Sequence, residues 1–116
     1  MLSSKCQDII SAHDFCIKKD IPFFVLGSGS NIVVSNTLQD ALVVKMENKG
    51  ITIIHDSEES VLLQVSAGEM WDEFVAFSLE KGLSGIEALS KIPGTCGATP
   101  VQNIGAYGQE VGNVID

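Results

Sequence analysis

Apolar residues recur at helical spacing near the start of the chain. Cys6, Ile9, Ile10, Ala12, Phe15 and Cys16 fall mostly on one face at steps of three and four, which predicts a helix over 4–19. Ser3 or Ser4 would supply the N-cap oxygen, and Lys18 and Lys19 complement the negative end of the helix dipole. Pro22 interrupts the pattern, and the continuous apolar run Phe23-Phe24-Val25-Leu26 predicts a buried strand. Beyond Gly27-Ser28-Gly29-Ser30-Asn31, the β-branched run Ile32-Val33-Val34 predicts a second strand. Further strands are expected over 41–46, 51–55 and 61–65, separated by a polar turn at 35–40, an Asn48-Lys49-Gly50 turn and an acidic hairpin tip at 56–60. A second helix over 68–81 should turn Trp71, Phe74, Val75 and Leu79 inward, and Gly82 should stop it as the C′ residue. Residues 86–89 predict a short helical turn. From 92 onward the chain is irregular and glycine-rich, as expected of a loop that faces a ligand.

Composition narrows the picture. A chain of 116 residues forms one domain at most, and 45% apolar residues with a mean hydropathy of +0.25 supply a core. The net charge of −8 argues against nucleic acid or an anionic membrane as partner, because both require a basic patch. An anionic cofactor remains open, since backbone amides hold phosphate locally whatever the net charge. No apolar run is long enough to cross a bilayer, and the polar, periodic first twenty residues are not expected to be a signal peptide. The three cysteines, Cys6, Cys16 and Cys96, form no C-x-x-C pair and are odd in number. A reduced, cytoplasmic protein is therefore expected, with Cys6 and Cys16 as core fillers. The chain opens on a helix with no strand ahead of it and stops in what reads as the start of one, as expected of a piece of a longer protein.

The chemistry concentrates in glycine-rich stretches. Ile92-Pro93-Gly94-Thr95-Cys96-Gly97-Ala98 and Gln102-Asn103-Ile104-Gly105-Ala106-Tyr107-Gly108 stand nearly back to back, and Leu26-Gly27-Ser28-Gly29-Ser30-Asn31 lies far upstream. Glycine lets backbone N–H groups approach a ligand with no side chain in the way. Three such stretches in one small domain point to a large phosphate-bearing ligand held mainly by main chain. The upstream stretch is not a dinucleotide fingerprint, because the third glycine of G-x-G-x-x-G would fall at Ile32, and no Gly-Lys-Ser/Thr of a P-loop occurs. It reads either as an anion-binding nest, with Ser28, Ser30 and Asn31 as added donors, or as an ordinary tight strand connection. Thr95 offers a hydroxyl donor. Cys96 lacks the neighbouring base of a nucleophile, since His13 lies on the first helix and His55 near a hairpin tip. Glu69, Asp72, Glu73 and Glu80, like Asp56, Glu58 and Glu59, read as solvated faces rather than acid–base pairs, and no metal-ligand cluster stands out.

In this order these segments resemble the UDP-N-acetylenolpyruvoylglucosamine reductase family, flavoenzymes of peptidoglycan precursor synthesis. Val65-Ser66-Ala67-Gly68-Glu69 leading into Trp71, Gly82-Leu83-Ser84-Gly85-Ile86-Glu87 and the lead-in Pro100-Val101 complete the match, which spans nearly the whole chain from residue 26. The Gln102–Gly108 run following the Pro-Gly-Thr-x-Gly-Ala loop is its most specific part. Cys96 departs from it, standing where Val or a similar apolar residue is expected.

The resemblance implies an α+β FAD-binding domain of the vanillyl-alcohol-oxidase (PCMH) type, in which two small subdomains clasp FAD. Here these would be residues 1–46 and an incomplete 47–116, truncated at both ends, with the substrate-binding domain absent. Leu26, Gly27, Ser28, Gly29, Ser30 and Asn31 would hold the pyrophosphate. Ile92, Pro93, Gly94, Thr95, Gly97 and Ala98, with Gln102, Ile104, Gly105 and Ala106, would line the cofactor and its isoalloxazine, and Asn31 and Tyr107 would face substrate. In the family NADPH reduces FAD, and hydride then passes from flavin N5 to the enolpyruvyl group of a UDP-sugar substrate. The family's catalytic Ser, Glu and Arg would lie beyond Asp116, and the chain contains no arginine, so it is expected to be inactive alone. A missing first strand would open a sheet edge to self-association. Two other readings stay open: the flavin domain of a related oxidase, which the 102–108 run disfavours, and a stand-alone, non-catalytic nucleotide-binding module.

Overall fold

A computed structural model describes residues 2–3, 6–37 and 40–116. Three short strands form a parallel sheet in the order β1 (Leu2–Ser3), β3 (Leu42–Met46), β2 (Phe23–Leu26), with helix α1 (Cys6–Lys19) between β1 and β2 in sequence. The central strand pairs Leu2 with Lys45 on one side and Phe23 with Leu42 on the other. Among the described residues of this half, Ala12 and Cys16 of α1 and Val44 of β3 are buried. Helix α1 therefore presents only a narrow stripe to the sheet. Ile10 and Phe15, expected on the inner face, are about half exposed. Cys16 is the core filler anticipated. Ser4 and the side chains of Ser3 and Cys6 lie outside the described residues, and with them the expected N-cap.

Three expectations for this half are corrected. A strand does precede the first helix, and β1 covers the side of β3 that would otherwise be a free edge. β2 is an edge strand rather than a buried one, with Phe24 and Val25 more than half exposed, because it has a partner on one side only. Residues 32–34 form no strand. β-Propensity needs a neighbouring strand to act on, and Val33 stands fully exposed at 101% of its reference area.

The second half begins with an antiparallel ribbon of β4 (Ile51–Asp56) and β5 (Val61–Val65), bulged at Ile54, where Ile53 pairs with Leu63 and His55 with Leu62. Helix α2 (Trp71–Glu80) follows. It ends as predicted at Gly82, φ +74, with Gly82 N–H donating to the Leu79 carbonyl and Leu83 N–H to that of Ser78. Trp71, Val75 and Ser78 face inward, and Phe74 packs beside them. Leu79, expected inward, lies on the margin of that stripe and is half exposed. The helix starts later than the pattern predicted, because residues 67–70 run beside 94–97 instead of coiling.

Beyond α2 the chain is more ordered than its glycine content implied. The predicted turn at 86–89 is a 3₁₀ turn, Glu87–Leu89, and another, Cys96–Ala98, leads into the single-turn helix α3 (Thr99–Gln102). A hairpin of β6 (Gly105–Ala106) and β7 (Gln109–Glu110) and a last 3₁₀ turn, Val111–Asn113, complete it. The main core gathers Trp71, Val75, Ile86, Leu89 and Val111, with Ile92, Cys96, Ile104 and Ala106 packed against it. The indole N–H of Trp71 donates to the Leu89 carbonyl at 2.8 Å, so the largest core side chain buries no unpaired donor. The molecule is elongated, 50 × 29 × 19 Å. Among the described residues no helix is long and apolar enough to cross a membrane.

Truncation of Leu89, fully buried at the centre of this core, should cost about 2–5 kcal/mol. Thermal or urea unfolding of Leu89→Ala checks this, and an unchanged midpoint would show that the core lies elsewhere.

Candidate functional site

The strip 67–71 organises the site. The carbonyl of Gly94 accepts the Trp71 N–H (3.1 Å), Cys96 N–H donates to Glu69 (2.8 Å) and Gly97 N–H to Ala67 (3.0 Å). Met70 and Thr95 form the bridge between these bonds. The two segments approach so closely that a Cβ on Gly97 would stand 2.5 Å from Ala67 Cβ and 2.9 Å from its Cα. On its other side the strip is tied to the 48–50 turn. Gly68 N–H donates to Asn48 Oδ1, and the Glu69 carboxylate accepts the Gly50 N–H at 2.6 Å and pairs with Lys49 at 3.2 Å. Glu69 is thus a half-sequestered anchor, with a side chain only 15% exposed, and not the solvated charge the sequence implied.

This strip carries residues 95–98 to the upstream loop. Ser30 Oγ donates to the Pro93 carbonyl (3.3 Å), and Asn31 Nδ2 to Gln102 Oε1 (2.6 Å), across 63 and 71 residues of chain. A Cβ on Gly27 would meet Thr95 Oγ1 at 2.7 Å and the methyl of Ala98 at 3.4 Å. Two of the glycine-rich stretches therefore meet, and the third reaches them only through Gln102. Between them lies a cavity of about 330 Å³ whose walls include residues 26–31, Thr95, Gly97, Ala98 and Gln102. No hydrogen bond to the chain engages the N–H groups of Gly29, Ser30 or Asn31 among the described residues. A main-chain cradle with unpaired amides fits a phosphate group.

Not every predicted residue belongs to it. Ile92, Ile104 and Ala106 pack on the Trp71 core. Gly105 faces Gln109 and Glu110 within the β6–β7 hairpin. Tyr107, φ +51, occupies the two-residue turn of that hairpin and is 96% exposed. It stands outside the cavity because the turn points it to solvent. Asn103, also left-handed at φ +43, clamps this hairpin instead of a ligand: its amide donates to Glu110 at 2.8 Å and accepts the Gly112 N–H at 2.9 Å. The cavity also takes walls from Val25, Ile32, Met46, Ala67 and Val101. None of these was singled out as a site residue. Ala67 and Val101 carried a signal, through their places in the Val65–Glu69 segment and the Pro100-Val101 lead-in. Ile32, mistaken for strand, becomes a wall because it has no sheet to join.

A larger cavity, about 800 Å³, lies on the far side of the strip, between the β4–β5 ribbon and α2. It touches none of residues 26–31. Ala67 and Gly97 line both, and their contact is the partition between them. Cys96 sits in this partition. Burial, then the nearby Glu69 charge, pushes its thiol up to about 12, which keeps it protonated and unreactive at neutral pH.

The structure is thus a mixed α+β domain in which residues 26–31 meet Thr95, Gly97, Ala98 and Gln102 around one glycine-walled cavity. The chain belongs to the FAD binding domain family, whose model matches residues 3–116. It is 57% identical over 113 residues to the UDP-N-acetylenolpyruvoylglucosamine reductase of Neisseria gonorrhoeae, a match covering 97% of this chain and 32% of that protein. The enzyme of the same name from Pseudomonas aeruginosa is 47% identical over 109 residues, 94% of this chain and 32% of the relative. The one from Shewanella baltica is 41% identical over 124 residues, 99% and 36% respectively. The chain thus spans about a third of the length of the curated relatives it matches.

Two outcomes are expected here. Gly97→Ala should destabilise the fold by about 1–3 kcal/mol, since its methyl overlaps backbone that cannot move aside; a urea titration measures it. Cys96 should label with iodoacetamide at pH 8 far more slowly in the folded chain than in denaturant, as peptide mapping will show, and equal rates would contradict its burial.

Proposed function

We propose that this chain is the FAD-binding part of a UDP-N-acetylenolpyruvoylglucosamine reductase, in which residues 1–46 and 47–116 act as two subdomains of the vanillyl-alcohol-oxidase type with the cofactor between them. The observation that carries the reading is the convergence of residues 27–31 with Thr95, Gly97, Ala98 and Gln102 on one glycine-walled cavity, tied by the bonds of Ser30 to Pro93 and Asn31 to Gln102. Ala12, Cys16 and Val44 are buried outside the cluster around Trp71, which supports the division into halves.

In this reading the N–H groups of Gly29, Ser30 and Asn31 hold the pyrophosphate, and Ser28 adds a hydroxyl donor, while the Ser30 hydroxyl is already donated to the Pro93 carbonyl. Gly27 and Gly97 keep the cradle walls free of side chains. Thr95 and Ala98 form the opposing wall, and Gln102 fixes Asn31 through its amide, which sets the direction of the upstream loop. Val25, Ile32, Met46 and Val101 supply apolar surface that excludes water. FAD held by these residues would supply a hydride carrier between NADPH and the enolpyruvyl double bond of UDP-N-acetylglucosamine enolpyruvate. The cavity of about 330 Å³ sits at the small end of ligand pockets, enough for the central part of a dinucleotide rather than the whole. The 116 residues alone do not turn over the UDP-sugar substrate, since they contain no arginine to meet its anionic groups and match a third of the relatives' length.

The test is a visible spectrum of the purified chain after incubation with FAD and desalting. Retained flavin absorbance, lost in Gly27→Val, is expected. A colourless chain, or a bound flavin indifferent to Gly27→Val, would overturn the placement of the cofactor. NADPH oxidation dependent on the enolpyruvyl substrate should be undetectable with this chain alone.

A further inference from the structure

Lys91 has a left-handed backbone, φ +67. For a long side chain this conformation persists only where its surroundings impose it. It lies at a decisive place, immediately ahead of Ile92-Pro93-Gly94, where the chain leaves the 3₁₀ turn Glu87–Leu89 and enters the segment that walls the cavity.

Asp72 is what surrounds it. One carboxylate oxygen accepts the Ser90 hydroxyl at 2.8 Å and the Lys91 N–H at 2.7 Å, and the other pairs with the Lys91 ammonium at 3.0 Å. The neighbouring Trp71 N–H binds the Gly94 carbonyl. The first turn of α2 thus grips the loop at both ends of the reversal. The carboxyl is held down to about 2, foremost by the Lys91 N–H and then by the Lys91 ammonium and the Ser90 hydroxyl, so the grip is ionised at any working pH.

We propose that Asp72 is a positioning residue for the cofactor loop: by holding Lys91 in the left-handed conformation it directs residues 92–98 against the 67–71 strip and onto the upstream loop. The inference rests on the cofactor reading above and extends it to a residue that touches neither the cavity nor the loop at 27–31. Asp72 acts through the backbone of Lys91, and a glycine at 91 would adopt the same conformation without help. The role is therefore separable from a general contribution to the fold.

The experiment compares the wild-type chain with Asp72→Ala, Asp72→Asn, Lys91→Gly and the double variant Asp72→Ala/Lys91→Gly. Without cofactor, the strong intraresidue HN–Hα contact of a positive-φ residue is read at position 91 by NMR, with amide exchange at Cys96 and Gly97. FAD affinity is read by flavin fluorescence. Asp72→Ala should lose the contact at Lys91, speed exchange at both amides and weaken FAD about tenfold, the scale of one left-handed residue left unsupported. Asp72→Asn, which keeps an acceptor oxygen, should fall between. Lys91→Gly should bind like wild type, and in the double variant it should restore affinity to within about threefold. If Asp72→Ala keeps the left-handed signature, or Lys91→Gly fails to restore the double variant, the proposal is overturned. If even wild type binds no FAD, the cofactor reading fails and the positioning role with it, while the signature at Lys91 separately reports whether Asp72 sets the loop.

Discussion

The close contact between residues 67–71 and 94–97 is the constraint on which the rest depends. Three backbone hydrogen bonds lie across it, and no side chain separates Gly97 from Ala67. Buried main chain must find partners, and here two loops satisfy one another where no sheet is available. The contact starts α2 at Trp71, places Cys96 on the core and turns Thr95 and Ala98 toward Gly27. It also divides the two cavities. The glycine-walled cavity is in this sense a by-product of how the irregular part of the chain pairs its own backbone.

The acidic residues near α2 serve the same contact from outside. Glu69 fastens the strip to the 48–50 turn, and Asp72 fastens the incoming loop at Ser90 and Lys91. Both accept backbone N–H groups, and bonds of this kind to a charged acceptor are stronger than neutral ones. In a chain of net charge −8, these carboxylates are used where the main chain is irregular, whereas Glu58 and Glu59 stay exposed at a hairpin tip. A strongly acidic chain is compatible with an anionic cofactor, because backbone amides can hold phosphate locally whatever the net charge.

Much of the fold was legible in the sequence. The period of α1, the strands at 42–46, 51–56 and 61–65, and the glycine stop of α2 depend on neighbours within a few residues, and such patterns survive in almost any tertiary setting. What misled was apolar content without a partner. Phe24, Val25 and Ile32 to Val34 read as buried strand because they are apolar, yet burial depends on what lies opposite, and a sequence does not display that. Glu69 and Asp72 misled in the converse way: a carboxylate at the start of a helix looks solvated until a distant loop delivers its N–H groups.

The sequence by itself determined the family and the ingredients of the site, since three glycine-rich segments in a fixed order are a local signature that needs no coordinates. Only the tertiary structure decided which of those residues share the cavity. Residues 27–31, 95, 97, 98 and 102 meet there, while Ile104 and Ala106 go to the core and Tyr107 to solvent. The reason is physical. A glycine-rich segment states that backbone comes close to something, but whether that something is a ligand, another loop or its own hairpin is settled by long-range contacts, here those of Ser30 with Pro93, Asn31 with Gln102 and Gly97 with Ala67.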